Sequence, residues 1–157
     1  MRSYANRQSY KGLAAKYKQQ RSKEWDLGLR LLESNYEAEI ERVIEHFEDN
    51  LDRLSYVLVS GIECNSSQLY HVHCCFISKL PLTRYQVLTL IDREKYKHQY
   101  CAVRNPKYSY TAWKCHHTKD DTKIDERRIL FEYGTLPDEV LTKQQYLTAK
   151  KFGYEGP

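Results

Sequence analysis

The chain has 157 residues, the length of one ordinary domain, and 41% of them are hydrophobic, which is enough for a single core. With 29% charged residues and no apolar run near the ~18 residues of a membrane span, the sequence predicts a soluble, intracellular protein with no membrane partner. Five cysteines without paired C-x-x-C spacing argue against a disulfide framework and favour the reduced thiols of cytosol or nucleus.

The formal charge of +4 conceals a separation of charge along the chain. Residues 2–23 carry seven Lys or Arg and no acid, whereas residues 33–52 carry eight Asp or Glu and one base. We expect residues 1–24 to form a basic flexible arm, and its candidate phosphate contacts are Arg2, Arg7, Lys11, Lys16, Lys18, Arg21 and Lys23. The 14 tyrosines, interleaved with basic residues, suit a surface on which bases stack, although most tyrosines in proteins occupy core and rim positions.

Hydrophobic periodicity predicts the elements of the first half of the chain. Alternation over residues 25–31 predicts a strand, and apolar residues at helical spacing over 36–51 predict a helix with an acidic outer face. The short β-branched runs 56–63 and 69–77, separated by a polar loop, predict an antiparallel strand pair. We expect Pro81 to end the second strand of this pair.

The second half of the chain continues the alternation of helices and strands. Thr83 and Gln86 form a capping-box signature ahead of an apolar stripe, which predicts a helix. We then predict a strand over residues 99–104, a helix over 110–119, a strand over 129–133 and a C-terminal helix or tail over 138–157. This order predicts an α+β fold in which helices flank an antiparallel-rich central sheet.

Two histidines on one predicted strand are the sharpest chemical feature. His71 and His73 are two residues apart, so both imidazoles project from the same strand face and can reach one metal ion. Such pairs are often incidental, but a hairpin would bring Glu63 back beside them, and the resulting donor set suits Mg²⁺ or Mn²⁺. The alternative, less favoured because successive strand residues face opposite ways, is a zinc site built from Cys74, Cys75 and Cys115.

The run His71-Val-His-Cys-Cys-Phe76 resembles the His-hydrophobic-His motif of the HUH-type replication initiator (Rep) endonucleases of small circular single-stranded DNA viruses and related rolling-circle plasmids. Residues 56–63 resemble the family's strand that ends in the acidic metal ligand, and residues 81–87 resemble the start of its next helix. Residues 119–125 and 131–135 are similar to the segment after its catalytic tyrosine. The resemblance covers residues 25–137 and implies one nuclease domain with a relative of the ferredoxin-like fold.

The resemblance implies a metal-dependent DNA endonuclease that nicks and joins single-stranded DNA during replication in a host nucleus, with the virion or cytoplasm as alternative locations. In this family a metal polarises the scissile phosphodiester while a helix tyrosine attacks phosphorus. Carried over, Glu63, His71 and His73 are the metal ligands, and Lys119 positions the ion or balances charge. The sequence contains no G-x-x-x-x-G-K-[ST] phosphate loop, so a helicase or other replication protein would act in trans.

The chain departs from the family at the nucleophile. The family's motif is Tyr-x-x-Lys, and counting back from Lys119 places His116 at the tyrosine position. Tyr110 and Lys114 offer an alternative pair on one helical face, but Tyr110 lies about 9 Å along the helix from His116. Two further interpretations of His116 stay open, namely an additional metal ligand and a solvated residue at the helix end.

These departures leave three functions open. In the first, the domain is a nickase and strand transferase in which Tyr110 replaces the missing tyrosine. In the second, it has lost catalysis and serves as a DNA-binding or virion-associated protein. In the third, it is a purely structural protein with an unused metal pocket. The strand over 25–31 keeps little of the family's DNA-contacting pattern, but Arg30 and Lys114 are candidate contacts to DNA in the first two cases.

Overall fold

The computed structural model describes residues 20–65, 67, 69–119 and 123–156. Within this part the chain has an α+β fold in which helices flank a six-stranded antiparallel sheet, so the predicted fold class is confirmed. In the same residues, no helix is long and apolar enough to cross a membrane. Most of the predicted phosphate contacts of the arm lie outside the described residues, namely Arg2, Arg7, Lys11, Lys16 and Lys18.

The described elements follow the predicted order. The strands are β1 (Ser22–Leu31), β2 (Leu54–Ser60), β3 (Glu63–Cys64), β4 (Tyr70–Leu82), β5 (Tyr100–Val103) and β6 (Ile129–Gly134). The helices are α1 (Tyr36–Glu48), α2 (Arg84–Ile91), α3 (Arg93–Tyr96), α4 (Tyr110–Thr118) and α5 (Lys143–Lys151). The strand order in the sheet is β5-β1-β4-β2-β6, and β3 pairs with β4.

Several element boundaries differ from the sequence prediction. Strand β1 begins at Ser22, inside the segment expected to be an arm, and residues 56–63 are divided between β2 and the short β3. The prediction that Pro81 ends its strand is wrong, because β4 continues to Leu82. Pro81 lies where the register of β1 and β4 shifts, and a proline without an N–H is tolerated at such an irregularity.

The main core lies between the sheet and helices α1 and α2. Alternate residues of β1 are buried in it, as is Val72 of β4, and α1 contributes Phe47. Each fully buried side chain of this size contributes about 1.5–3 kcal/mol. This burial fixes the register of β4, because a shift by one residue would turn its apolar residues to the opposite face of the sheet. His71 and His73, which flank Val72, are thereby directed away from the main core.

The opposite face of the sheet is covered in part by α4. Trp113 of α4 packs there in a second core with Tyr56 and Cys75. The N-terminus of α4 is capped by Ser109, and the Glu139 carboxylate accepts hydrogen bonds from its first two N–H groups. We call this side of the sheet the histidine face; its strand residues include Asp26, Gly28, Arg30, His71, His73, Cys75 and Tyr100.

Candidate metal centre and adjoining groove

Glu63, His71 and His73 converge at one end of the sheet, and we call them the triad. The register of β3 and β4 places Glu63 directly opposite His71. Glu63 Oε1 lies 3.5 Å from His71 Nε2, and Glu63 Oε2 lies 3.9 Å from His73 Nε2. The two imidazoles are 27% and 29% exposed, so the triad is accessible from outside. Pairing of β3 with β4 therefore brings these three side chains together.

The triad fits the donor requirements of a divalent cation. Its ligand atoms all lie within 4.8 Å of one another. Two ligand atoms bound to one ion at ~2.1 Å can lie at most ~4.2 Å apart, so small side-chain rotations suffice. One carboxylate and two imidazoles, with open positions toward solvent, suit a hard or borderline ion such as Mg²⁺ or Mn²⁺.

Lys123 is a member of this site that the sequence did not predict. Its Nζ donates a hydrogen bond of 2.6 Å to Glu63 Oε2, and its side chain is 0% exposed. Burial raises the pKa of Glu63, but the contacts with His71 and Lys123 outweigh that effect and hold the pKa far below its usual value. A fixed ammonium group thus lies beside the triad and neutralises the Glu63 carboxylate.

The two imidazoles of the triad have opposite pKa shifts. The contact with Glu63 raises the pKa of His71 above its usual value. Burial, together with the nearby His117, lowers the pKa of His73 to about 4. His73 is therefore neutral at pH 7, which is the form that ligates metals.

Helix α4 places His117, rather than His116, against the triad. The rings of His117 and His73 have centroids 4.9 Å apart, and His117 Nε2 lies 3.1 Å from Asp26 Oδ1. The same carboxylate oxygen accepts a 2.7 Å hydrogen bond from Trp113 Nε1. His116 is more exposed and packs on Phe152. The i, i+4 spacing of Trp113 and His117 is the sequence signal for their shared helix face.

The side chains of Tyr110 and Lys114 each contact a carboxylate away from the triad. The Tyr110 hydroxyl donates to the Glu24 carboxylate, and the Arg104 guanidinium lies 4.1 Å above the tyrosine ring. Lys114 Nζ forms an ion pair of 2.7 Å with Glu132. Burial and the hydrogen bond to Glu24 raise the pKa of Tyr110, which disfavours the phenolate that would attack phosphorus. Tyr110 lies seven residues before His117, about 10 Å along the helix, and the structure does not bring it to the triad.

The remaining predicted contacts are spread around the site. Lys119 follows the last residue of α4, and its charge, after burial and His117, contributes to a lowered pKa of His116. Arg21 is exposed immediately before β1, at the far end of that strand from Arg30. Arg30 is exposed on the histidine face, and its side chain borders the groove described below. Among the predicted contacts to DNA that the structure describes, Arg30 is the one that lies beside the triad.

The structure does not support the alternative zinc site. Cys74 lies in the main core and Cys75 in the second core, on opposite faces of β4. All five cysteines are free of disulfides. Asp26, Cys75 and His117 do have ligand atoms within 4.8 Å of one another. Burial raises the pKa of the Cys75 thiol well above its usual value, however, which disfavours the thiolate that a metal needs.

A groove of about 340 Å³ runs from the triad across the histidine face. It is lined by Arg30, Tyr70, His71, His98, Gln99 and Tyr100. Tyr100 is 64% exposed although it is a large aromatic residue. Gly28, opposite His73 in the sheet, leaves open the space between Tyr100 and His73. The groove thus offers cationic and aromatic side chains next to the triad.

A cavity of about 400 Å³ lies between the sheet and α4. Its walls include Asp26, His73, Tyr100, Asn105, Trp113 and Phe152. His73 belongs both to the triad and to this cavity, and Tyr100 belongs both to the groove and to the cavity. The triad, the groove and the cavity are therefore parts of one continuous surface.

No protein-family profile, no curated protein and no solved structure matches the chain. The resemblance to replication initiators consequently rests on the motif residues alone.

Proposed function

We propose that the chain is a domain of the replication-initiator type that binds single-stranded DNA along the histidine face and holds Mg²⁺ or Mn²⁺ at the triad. The observation that supports this best is the convergence of Glu63, His71 and His73 beside an accessible groove. Arg30 can neutralise a phosphate in that groove, and the exposed ring of Tyr100 can stack on a base. In keeping with the resemblance, the proposed setting is viral DNA replication in a host nucleus, with helicase activity supplied in trans.

The residues in and around the triad would have different roles in binding the cation. When bound, the cation would offset negative charge on a phosphate oxygen. Glu63, His71 and His73 would supply its ligands, and the Lys123 ammonium holds the Glu63 carboxylate in place by a hydrogen bond. The pair of Asp26 and His117 fixes an imidazole ring against His73. An ordered second layer of this kind holds ligands in position.

The geometry favours binding over cleavage by a tyrosine. The hydroxyl of Tyr110 is already hydrogen-bonded to Glu24, and His116 stands at the motif position of the nucleophile. An imidazole there cannot form the phosphotyrosine of the initiator reaction. We therefore propose a binding domain that has lost the tyrosine chemistry of the proteins it resembles.

The first prediction concerns the metal. His71→Ala removes one of three ligands from a partly exposed position, so we expect the affinity for Mn²⁺ to fall by about tenfold or more. Isothermal titration calorimetry on the full chain measures this change. His46→Ala, in the last turn of α1, is the matched control and should bind Mn²⁺ like the unaltered protein. Equal affinities of all three proteins would contradict a metal site at the triad.

The second prediction concerns the groove. Tyr100→Ala should weaken binding of a single-stranded oligodeoxynucleotide by about 1–3 kcal/mol, because one stacking platform is lost. The affinity of Tyr100→Ala should depend on salt concentration as that of the unaltered protein does. Arg30→Ala should instead reduce the slope of log affinity against log salt concentration by about one. Fluorescence anisotropy over a salt series measures both effects. Tyr85→Ala, at an equally exposed tyrosine of α2, is the control, and a similar loss there would argue against the groove.

The third prediction concerns cleavage. Incubation of the protein with labelled single-stranded DNA and Mn²⁺ should yield neither shortened strands nor a covalent adduct on a denaturing gel. Tyr110→Phe should bind DNA as the unaltered protein does, because Tyr110 lies away from the groove. An adduct that forms with the unaltered protein and disappears in Tyr110→Phe would restore the nickase function and refute the loss of catalysis.

A further inference from the structure

We infer that the cavity between the sheet and α4 receives one unstacked nucleobase of the DNA strand that lies in the groove. This inference rests on the proposed function, and it adds a binding site for a base to the site for phosphate and metal. Three independent features of the cavity support it, namely its walls, its free polar groups and its position beside the triad.

Four aromatic side chains line the cavity. Tyr100 lies on the sheet side and Trp113 on the helix side, and Phe152 with Tyr108 borders the cavity near α5. Flipped bases are held in proteins by stacking between aromatic and apolar side chains. A volume of about 400 Å³ is at the lower end of the range for sites that enclose small molecules. The cavity is therefore suited to a single base with part of its sugar.

The polar groups of the cavity include one acceptor and one donor group that are free among the described residues. Asp26 accepts hydrogen bonds from Trp113 and His117 through Oδ1, which leaves Oδ2 as an open acceptor. Asn105 accepts a hydrogen bond through Oδ1, which leaves the donors of its Nδ2 unused. Every nucleobase presents both donors and acceptors at its edge, so both groups can be satisfied by one base.

His117 gives a further sign of a missing polar partner. Its Nδ1 is buried and has no hydrogen-bond partner among the described residues. The other ring nitrogen, Nε2, lies 3.1 Å from Asp26 Oδ1. His117 lines the cavity, and buried polar atoms of this kind normally have a hydrogen-bond partner. A polar group at the edge of a base would supply the missing partner of Nδ1.

The position of the cavity links it to the bound strand. Tyr100 separates the groove from the cavity and borders both, so a strand in the groove needs to turn out only one base there. The other end of that nucleotide then lies near His73, which borders the cavity and belongs to the triad. The free-energy cost of turning out this base is low in a single strand, because no base pair has to be opened.

A scan with abasic oligodeoxynucleotides tests the inference on the full chain. Each oligonucleotide lacks one base, and fluorescence anisotropy gives its affinity. We expect one position at which the missing base lowers affinity by about tenfold or more, because stacking and hydrogen bonds are lost together. Tryptophan emission should fall when the intact strand binds, because Trp113 borders the cavity while Trp25 is buried in the main core. The strand that is abasic at the sensitive position should not cause this change.

Variants separate the cavity from the groove. Ala112→Leu fills the cavity from α4 and should lower the affinity for the intact strand to that of the abasic strand. Ala38→Leu, at an exposed position of α1, is the matched control and should preserve the difference. Where Ala112→Leu fails to fold, Asn105→Ala at an exposed position should reduce the effect of the abasic site.

The outcomes distinguish the two proposals. Strand binding without a sensitive position, and without a change in tryptophan emission, overturns the base site and leaves the proposed function in place. Absence of any binding to single-stranded DNA overturns both. A sensitive position that persists in Ala112→Leu would place the base contact outside the cavity and would also overturn this inference.

Discussion

Replacing Lys123 by methionine is expected to lower the free energy of unfolding by about 3–5 kcal/mol in metal-free buffer. The ammonium of Lys123 lies 2.6 Å from Glu63 Oε2, and the lysine side chain is completely buried. Methionine keeps most of the apolar chain but leaves the Glu63 carboxylate buried without its cation. The cost of such an unpaired charge exceeds the cost of the lost packing. Urea denaturation with excess EDTA measures the change.

The same variant should respond to metal more strongly than the unaltered protein. Without the ammonium, a cation at the triad no longer meets a positive charge on the same carboxylate, and we expect Mn²⁺ to bind about tenfold more tightly or better. Because Mn²⁺ would bind only the folded state, it should recover about 2.7 kcal/mol of stability at a concentration one hundred times its dissociation constant. Titration calorimetry and denaturation in Mn²⁺ measure the two effects separately.

Lys95→Met is the matched control for Lys123→Met. Lys95 forms an ion pair of 3.1 Å with Glu39, which is also buried, but within the described part of the chain no histidine pair lies beside that carboxylate. Mn²⁺ should therefore not restore the stability that Lys95→Met loses. If Mn²⁺ stabilises Lys123→Met no more than it stabilises the unaltered protein, the cation and Lys123 do not share Glu63. That result would contradict a metal site at the triad.

The sequence predicts the triad because local rules determine it. The period of two puts His71 and His73 on one strand face, and the short connection between two antiparallel strands returns Glu63 to their side. The apolar residues of β4 then hold that face away from the main core. These relations involve neighbours in sequence and can be read without the structure, as can the capping box at Thr83.

The remaining members of the site depend on contacts between distant segments. Lys123 follows a charged stretch without periodicity, and its pairing with Glu63 arises because residues 123–128 run alongside residues 61–63. Asp26 and His117 are 91 residues apart, and their hydrogen bond depends on the rotation of α4 about its axis. Counting from the motif lysine places His116 at the site. Trp113 packs in the second core, however, and this orientation of α4 directs His117 toward His73. Motif spacing does not determine the rotation of α4 about its axis.

Gly61→Ala is expected to lower the free energy of unfolding by about 3 kcal/mol or more. Gly61 lies between β2 and β3, and its N–H donates a 2.8 Å hydrogen bond to the carbonyl of Arg128. A Cβ atom at this position would stand 1.8 Å from the carbonyl oxygen of Arg127 and 3.0 Å from Cδ of Lys123. The first contact involves backbone, so rotation of a side chain cannot relieve it.

The damage from Gly61→Ala should spread to the triad, because residues 123–128 have to move to make room. The N–H of Ile124 donates to the carbonyl of Ile62, and Lys123 next to it holds Glu63, so one displacement disturbs both bonds. Faster hydrogen exchange at the Ile124 amide should accompany the loss of stability. Gly28→Ala is the control, because a Cβ there meets only ordinary contacts, the nearest at 3.5 Å, and should change stability by less than about 1 kcal/mol. Equal stability of Gly61→Ala and Gly28→Ala would mean that residues 123–128 do not pack tightly against Gly61. The contact that holds Lys123 against the triad would then not be required for folding.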